Sequence, residues 1–209
     1  MKQGMFFAFE GIDGSGKSTQ IRHLVEKLKS MGLRCHETRE PTDGPIGSVV
    51  HQMMTGRIAA DPRVISSLFA ADRLDHLTNP VNGLCPVIEQ GITVVTDRYY
   101  FSSYAYNGVE MDMDWVIQSN RLSAETLRPT LTIFLDIPVQ TALERIAKNR
   151  VHTELYEKEE RLMAVRQKYF EAFEKLKDQE RVAIIDADTD PETVAERVWE
   201  AVQTVLKNA

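Results

Sequence analysis

Short apolar segments alternate with longer amphipathic segments along this 209-residue chain, and that alternation limits the possible folds more than any other feature. The pattern is typical of a parallel sheet that carries helices on both faces. The predicted strands are Met5–Glu10, Leu33–Thr38, Ile92–Asp97, Leu131–Asp136 and Val182–Asp186. Ligands of open α/β sheets bind beyond the carboxyl ends of the strands. Because three of the predicted strands end in aspartate, we expect the functional site at that edge of the sheet.

Helical patterns fill the segments between the predicted strands. Apolar residues recur at helical spacing from Ile21 to Met31, and Gly32 supplies a C-terminal stop. Pro138 begins a second helix, and a strongly charged third helix runs from about Glu154 to Leu176. The segment Lys148–Thr153 between these two helices is predicted to be a flexible tip.

Composition and charge exclude several classes of protein. No repeat, low-complexity tract or linker divides the chain, so residues 1–209 are expected to form a single domain. Cys35 and Cys85 are far apart and have no CxxC spacing, which argues against a disulfide framework and a zinc site. No signal peptide or spanning segment is evident, so we expect a cytoplasmic protein without a membrane partner. The net charge of −6 and the absence of a basic block indicate no nucleic-acid partner.

The segment Gly11–Ser18 fits the pattern GxxxxGK(S/T) and lies between a predicted strand and a predicted helix, as a phosphate-binding P-loop requires. Its glycines allow backbone N–H groups to surround phosphates, and the helix N-terminus adds a positive dipole end. Lys17 is expected to reach the β- and γ-phosphates of a nucleoside triphosphate, and Ser18 to help hold Mg²⁺. The predicted nucleotide-binding residues of the loop are Gly11, Ile12, Asp13, Gly14, Ser15, Gly16, Lys17, Ser18 and Thr19.

Three charged residues near strand ends indicate what the P-loop serves. The chain has no guanine-reading NKxD and no strand that ends in an Asp-Glu pair, so a kinase is favoured over a GTPase or a motor ATPase. Arg39 and Arg98 can supply bidentate contacts to the phosphate of an acceptor. Asp97 has two open interpretations: it holds a magnesium-bound water or the acceptor end of the site, or it orients Arg98 through a salt bridge.

Beyond the P-loop, the segment Asp97–Gly108 resembles the signature of the thymidylate kinase family in nearly every defined position. Thr38–Pro41 and Leu68–Arg73 agree with the same family, so the resemblance covers residues 10–108 in the family's order and is looser beyond them. It implies a three-layer P-loop NTPase fold with a five-stranded parallel sheet and a helical lid at about residues 145–160. It also implies transfer of phosphate from Mg-ATP to dTMP, and a homodimer.

The resemblance assigns roles to residues of an acceptor site. Phe69 would stack on the thymine ring, Arg73 would donate to its O4 atom, and Ser103 and Asn107 would face its N3 edge. Without the neighbouring motifs, an aromatic residue on an amphipathic helix such as Phe69 would more often belong to the core. Many bacterial members of the family have glutamine at the position of Asn107, so the hydrogen bond to the base here is expected to be shorter in reach or water-bridged.

The resemblance also implies contacts with the sugar and with the transferring phosphate. Asp13 would bind the 3′-hydroxyl of the sugar, and Tyr106 would lie under the sugar ring. The P-loop lacks the arginine of the animal-type enzymes, so the catalytic arginine should come from the lid. Arg145 and Arg150 are the candidates for that role, with Arg150 preferred, and Arg145 is also assigned to ATP binding. The predicted catalytic residues are therefore Lys17, Arg39, Asp97, Arg98 and Arg150.

Three rival functions can be distinguished by the acceptor. A deoxynucleoside kinase shares the P-loop and a strand-end arginine but takes an uncharged acceptor, and Arg39 together with Arg98 favours a phosphorylated one. Another pyrimidine nucleoside monophosphate kinase would differ in the base that it accepts. A nucleotide-dependent regulatory protein would have lost transfer activity, which the retained Lys17 argues against.

Overall fold

The computed structural model describes residues 3–147 and 155–207, which form five strands and ten helices. The strands are β1 (Phe6–Glu10), β2 (Cys35–Arg39), β3 (Thr93–Asp97), β4 (Leu131–Asp136) and β5 (Val182–Asp186). The helices are α1 (Lys17–Ser30), α2 (Pro45–Met54), α3 (Pro62–Thr78), α4 (Leu84–Glu89), α5 (Tyr100–Asn107), α6 (Met113–Ser119), α7 (Arg121–Thr126), α8 (Val139–Ala147), α9 (Leu155–Leu176) and α10 (Pro191–Leu206). No helix in these ranges is long and apolar enough to cross a membrane.

The sheet has the strand order β2-β3-β1-β4-β5, and every neighbouring pair is parallel. Parallel neighbours cannot be joined by a tight turn, so helices supply the connections. All five residues of the central strand β1 are buried. Because successive side chains of a strand point to opposite faces, this burial means that both faces of the sheet are covered. The predicted α/β fold with a five-stranded parallel sheet is confirmed.

The strand boundaries agree closely with the sequence prediction. Strands β4 and β5 have the predicted bounds, and β1 and β3 each begin one residue later than predicted. Strand β2 begins at Cys35 instead of Leu33, because the Leu33 N–H still donates to the Leu28 carbonyl at the end of α1. It continues to Arg39, which pairs with Asp97 of β3. The predicted tip, Lys148–Thr153, lies outside the described residues.

An aromatic cluster fixes α5 and α9 against the sheet. The Phe173 ring of α9 lies 5.0 Å from the Phe101 ring of α5 and 5.0 Å from the Phe134 ring of β4, measured between ring centroids. Tyr169 of α9 also packs on Phe134, at 4.9 Å. Edge-to-face aromatic pairs of this kind contribute roughly 0.5–1.5 kcal/mol beyond the burial of their area. Helix α9 is therefore held next to the helix that follows β3.

The sheet register brings polar residues to one edge. Phe9 and Arg39 are both in register with Asp97, so the carboxyl ends of β1, β2 and β3 are level. Asp136 at the end of β4 is in register with Asp186 at the end of β5. The P-loop leaves β1 at this edge, where the sequence predicted the functional site.

Candidate active site

The P-loop turns sharply between β1 and α1, and glycine is required where it approaches α8. Gly14 has a φ of +83°, and a Cβ atom there would lie 2.7 Å from the Ala142 carbonyl oxygen. A contact under 3.0 Å with backbone would force the chain apart, so α8 packs directly on the loop. Gly16, with a φ of +94°, immediately precedes the first turn of α1. The loop thus directs the first N–H groups of α1 toward the edge of the sheet.

Lys17 lies inside the loop that it is predicted to serve. Its side chain is buried, and Nζ donates to the carbonyl oxygens of Gly11 at 3.1 Å and Ile12 at 3.2 Å. Burial, together with the positive charge of Arg98, lowers the pKa of Lys17 to about 8, although three neighbouring carboxylates act in the opposite direction. The ammonium group is therefore held at the loop with no solvent shell of its own, ready for an anionic partner.

Ser18 and Asp97 form a site that suits a magnesium ion. The Ser18 hydroxyl donates to Oδ2 of Asp97 at 3.2 Å, and Oδ1 of Asp97 is buried without a hydrogen-bond partner among the described residues. A buried carboxylate oxygen without a partner is costly unless a cation or a water occupies the space beside it. Mg²⁺ prefers oxygen ligands and commonly takes one or two from the protein, with phosphates and water completing its shell. The donor set fits that ion.

Arg98 has a different carboxylate partner from the one considered in the sequence analysis. The structure records no ion pair between Asp97 and Arg98 within the described ranges; instead Nη2 of Arg98 donates to Oδ1 of Asp13 at 2.7 Å. The arginine has a φ of +72°, uncommon for a residue with a side chain, and its guanidinium lies 4.9 Å from the centre of the Tyr106 ring. This conformation directs the side chain across the P-loop.

Behind Arg98 lies a buried carboxylate, Glu10, the last residue of β1. The carboxylate is fully buried and accepts four hydrogen bonds, from the backbone N–H groups of Tyr99 and Ser102 and from the hydroxyls of Ser102 and Tyr169. Burial raises the pKa of Glu10, while the Ser102 hydroxyl and the charge of Arg98 oppose that rise. We refer to Glu10, Ser102 and Tyr169 as the Glu10 cluster.

Arg73 occupies a second buried polar cluster, between α3 and α5. Its Nε donates to Glu40 at 2.7 Å in an ion pair that is almost completely buried. Nη1 donates to Ser103 at 3.1 Å and also to Asn120, and Nη2 donates to the Tyr99 carbonyl at 3.2 Å. Among the described residues, these hydrogen bonds use one of the two N–H groups on Nη2 of Arg73.

The facing sides of α3 and α5, which we call the α3–α5 groove, bring together the other residues predicted to contact a base. Asn107 donates through Nδ2 to the buried Ser66 hydroxyl at 3.0 Å, which leaves its Oδ1 as an acceptor. Phe69 is half-buried on α3 and is not among the described residues that form or flank the main apolar core. Ser103 is buried on the facing side of α5. The core interpretation of Phe69 thus lacks support in the packing.

A small cavity of about 270 Å³ borders the P-loop. Its lining includes Gly16 and Thr19 of the loop and first helix, Arg145 of α8, and Ala187 and Thr189 after β5. Nη2 of Arg145 donates to the Ala187 carbonyl at 3.2 Å. None of the described residues that line it belongs to α3 or α5, so the cavity and the α3–α5 groove are built from different elements around the same loop.

One predicted phosphate contact, Arg39, is not brought together with Arg98. Arg39 extends into solvent and pairs with Asp43 at 2.8 Å, with no contact to Arg98 among the described residues. It does border the same open groove as Ser18 and Asp97. Arg150 lies outside the described residues.

Several residues of these clusters were missed from the sequence. Glu10 had a usable signal, since a carboxylate at the buried end of an apolar strand needs partners. Glu40 lies in the Thr38–Pro41 segment that agrees with the family, although no role was predicted for it. Asn120 and Tyr169 had no signal, because an amide and an aromatic residue are ordinary in their segments. Only the packing of distant elements makes them neighbours.

Comparison with known proteins decides the family. The family model described as "Thymidylate kinase" matches residues 9–198. The chain belongs to the thymidylate kinase family. It is 34% identical to the thymidylate kinase of Afipia carboxidovorans, over 99% of this chain and 92% of that protein. It is 35% identical to the thymidylate kinase of Bradyrhizobium diazoefficiens, over 98% and 91% of the two chains. A probable thymidylate kinase of Thermococcus kodakarensis is 33% identical, over 97% and 98%.

Membership of this family covers both halves of the candidate site. The matched residues include the P-loop, the strand ends and the α3–α5 groove, and they also include the Arg145 cavity after α8. The candidate site therefore lies within the residues that match this family.

Proposed function

We propose that this protein transfers the γ-phosphate of ATP to dTMP, giving ADP and dTDP. The observation that carries the proposal is the position of Arg98, which lies beside the P-loop and the α3–α5 groove and contacts Gly11 through Nη1 and both Asp13 and the Tyr106 hydroxyl through Nη2. A cation at this place serves an acceptor that carries its own phosphate. Membership of the thymidylate kinase family supports the same activity.

The donor nucleotide is ATP, bound by the P-loop with its base toward the Arg145 cavity. Lys17 would exchange its two loop carbonyls for the β- and γ-phosphates, and Ser18 with Asp97 would hold Mg²⁺. When bound, the ion neutralises charge on the phosphates. No covalent intermediate with the protein is needed, since catalysis is positioning together with electrostatic stabilisation of an in-line transfer.

The acceptor dTMP would lie in the α3–α5 groove. Arg73 has an N–H group of Nη2 left for O4 of thymine, and Oδ1 of Asn107 can accept from N3–H of the same base. Phe69, half-buried beside them, would stack on the ring. The sugar would lie over Tyr106 with its 3′-hydroxyl at Asp13, so its phosphate would meet Arg98.

We assign the role of lid arginine to Arg150 and the second phosphate contact to Arg39, which would leave Asp43 when the acceptor binds.

We also propose one domain and a homodimer: Met54 and Val64, exposed on the adjoining helices α2 and α3, offer apolar surface of the kind that symmetric dimers bury. Light scattering after size exclusion measures that dimer. The cytoplasmic location and the absence of a nucleic-acid partner stay predictions.

A panel of acceptors with Mg-ATP tests the activity. A donor left unpaired by the wrong base costs roughly 10⁴ in specificity, whereas a missing methyl group costs about 1–3 kcal/mol. We therefore expect kcat/KM to be highest for dTMP, lower for dUMP and far lower for dCMP, with thymidine inactive. Equal turnover of dCMP and dTMP would point to a general pyrimidine nucleotide kinase, and turnover of thymidine would point to a nucleoside kinase.

A matched pair of variants separates the P-loop from the base groove. Lys17→Ala should lower kcat/KM for every acceptor by roughly 10² or more. Arg73→Ala should lower it for dTMP far more than for dCMP, because only thymine uses the donor at O4. A Lys17→Ala variant within threefold of the wild type would contradict the assignment of the loop.

A further inference from the structure

The Glu10 carboxylate touches neither nucleotide position in the proposed mechanism, although it is one of the most completely buried charges in the protein. It is 0% exposed and accepts hydrogen bonds at Oε1 from the N–H groups of Tyr99 and Ser102, at 2.9 and 3.1 Å. Oε2 accepts from the Ser102 hydroxyl at 2.6 Å and from the Tyr169 hydroxyl at 2.9 Å. With four donors directed at two oxygens, the group acts only as an acceptor. A buried carboxylate is costly to retain, so its partners need an explanation.

The two hydroxyls of the Glu10 cluster connect the carboxylate to Arg98. Nη1 of Arg98 donates to the Ser102 hydroxyl oxygen at 2.9 Å and contacts the Tyr169 hydroxyl oxygen at 3.4 Å. A hydroxyl has one hydrogen, and Ser102 uses it for Glu10, so its lone pairs face the guanidinium. Glu10 therefore sets the direction of the hydroxyl that receives Nη1.

The guanidinium is held differently at its two ends. Nη1 lies on the inner side, against the Glu10 cluster and the Gly11 carbonyl. Nη2 lies on the outer side, with Asp13, whose side chain is 56% exposed, and the Tyr106 hydroxyl. An acceptor phosphate would approach the outer side, where the exposed contact with Asp13 can be exchanged. The inner contacts persist and limit where Nη2 can be.

We propose that Glu10, acting through Ser102 and Tyr169, is a positioning residue that holds Arg98 in place for the phosphate of the acceptor. The inference rests on the proposed function, because it concerns the arginine that would bind that phosphate. Fixing a long side chain before the substrate arrives removes an entropy cost from binding and from the transition state. Tyr169 adds a link to α9, the helix that leads away from the lid segment.

Glu10→Gln is the most direct perturbation, since it keeps the shape of the side chain. The amide oxygen can still accept from the two backbone N–H groups, but the amide nitrogen now donates where Oε2 accepted. The hydroxyls of Ser102 and Tyr169 lose their shared acceptor. Because they lie 2.9 Å apart, a hydroxyl hydrogen then turns toward the other hydroxyl oxygen or toward Arg98. We expect kcat/KM for dTMP to fall roughly 10- to 100-fold, the scale on which a small misplacement of a catalytic group acts, while KM for ATP stays within about twofold.

Glu180→Gln is the matched control. Glu180 is also a buried carboxylate that accepts from a hydroxyl of α5, in this case Tyr100 at 2.8 Å, but it has no contact with Arg98 among the described residues. If Glu10 only stabilises α5, the two glutamine variants should lose similar stability and similar activity. If it positions Arg98, only Glu10→Gln should lower kcat/KM for dTMP, although the two variants have equal thermal stability.

A double-mutant cycle with Arg98→Ala completes the test. Once Arg98 is absent, Glu10→Gln should cost no more than about twofold further, because the group that it positions is gone. Multiplicative losses in the double variant would overturn the proposal, as would a Glu10→Gln enzyme with unchanged kcat/KM for dTMP.

Should Glu10→Gln not fold, Ser102→Ala breaks the same connection with Glu10 intact: a selective loss of kcat/KM for dTMP supports the inference, and wild-type kinetics overturn it. A wild-type protein without activity on dTMP would remove the proposed function itself, an outcome visible before any variant is made.

Discussion

Binding of ATP should be accompanied by uptake of a proton at Lys17 in mildly alkaline solution. In the ligand-free protein, burial lowers the pKa of this side chain to about 8, against about 10.4 for an ordinary lysine. The phosphates of ATP would replace the Gly11 and Ile12 carbonyls as its partners, and their negative charge raises the pKa again. The bound state therefore holds the ammonium form over a pH range in which the free state has partly lost it.

The size of the effect follows from the pKa of about 8. The neutral fraction of Lys17 in the free protein is about 0.1 at pH 7, 0.5 at pH 8 and 0.9 at pH 9, and the uptake on binding equals that fraction when the bound pKa is well above 9. The same linkage weakens ATP binding about tenfold between pH 7 and pH 9, because protonating the lysine at the higher pH costs free energy.

Isothermal titration of the protein with Mg-ATP, in pairs of buffers that differ in ionisation enthalpy, measures the uptake directly. Lys17→Arg is the control, since a guanidinium stays charged across this range and should show no uptake at any of the three pH values. Uptake that does not grow from pH 7 to pH 9, or equal uptake in the Lys17→Arg variant, would refute the assignment of the proton to Lys17.

Three further outcomes are expected. Asp97→Asn should raise the Mg²⁺ concentration for half-maximal activity roughly 10- to 100-fold, read from a magnesium titration, and an unchanged titration would exclude Asp97 from the metal site. Arg150→Ala should lower kcat with little change in KM for dTMP, since a lid cation acts mainly near the transition state; steady-state kinetics with an effect on KM alone would contradict that role. Phe134→Ala should destabilise the protein by about 3–5 kcal/mol, because Phe134 is buried among the rings of Tyr169 and Phe173. Urea unfolding measures that loss, and one below about 1 kcal/mol would mean that the ring cluster does not hold α9.

The sequence by itself determined the order of the elements and the place of the P-loop. A strand that is buried on both faces appears in the sequence as a continuous apolar run, and an amphipathic helix repeats its apolar residues every three to four positions. Both patterns can be recognised without knowing what the element packs against. Gly11–Ser18 and Asp97–Gly108 carry their chemistry in adjacent residues, whereas the contact between Ser18 and Asp97 depends on the strand order of the folded sheet. Local patterns of this kind can be recognised in the sequence because the residues that act together are close in the chain.

The tertiary structure alone decided which charges are partners. Sequence reasoning considered Asp97 as the carboxylate for Arg98, yet the structure pairs that arginine with Asp13, 85 residues away along the chain. Glu10 meets the Tyr169 hydroxyl across 159 residues, and Arg73 meets Asn120 across 47. No local pattern records such pairs, because a buried polar group requires only some partner of opposite polarity. Which one it finds depends on how β1, α3, α5 and α9 pack around the same edge of the sheet.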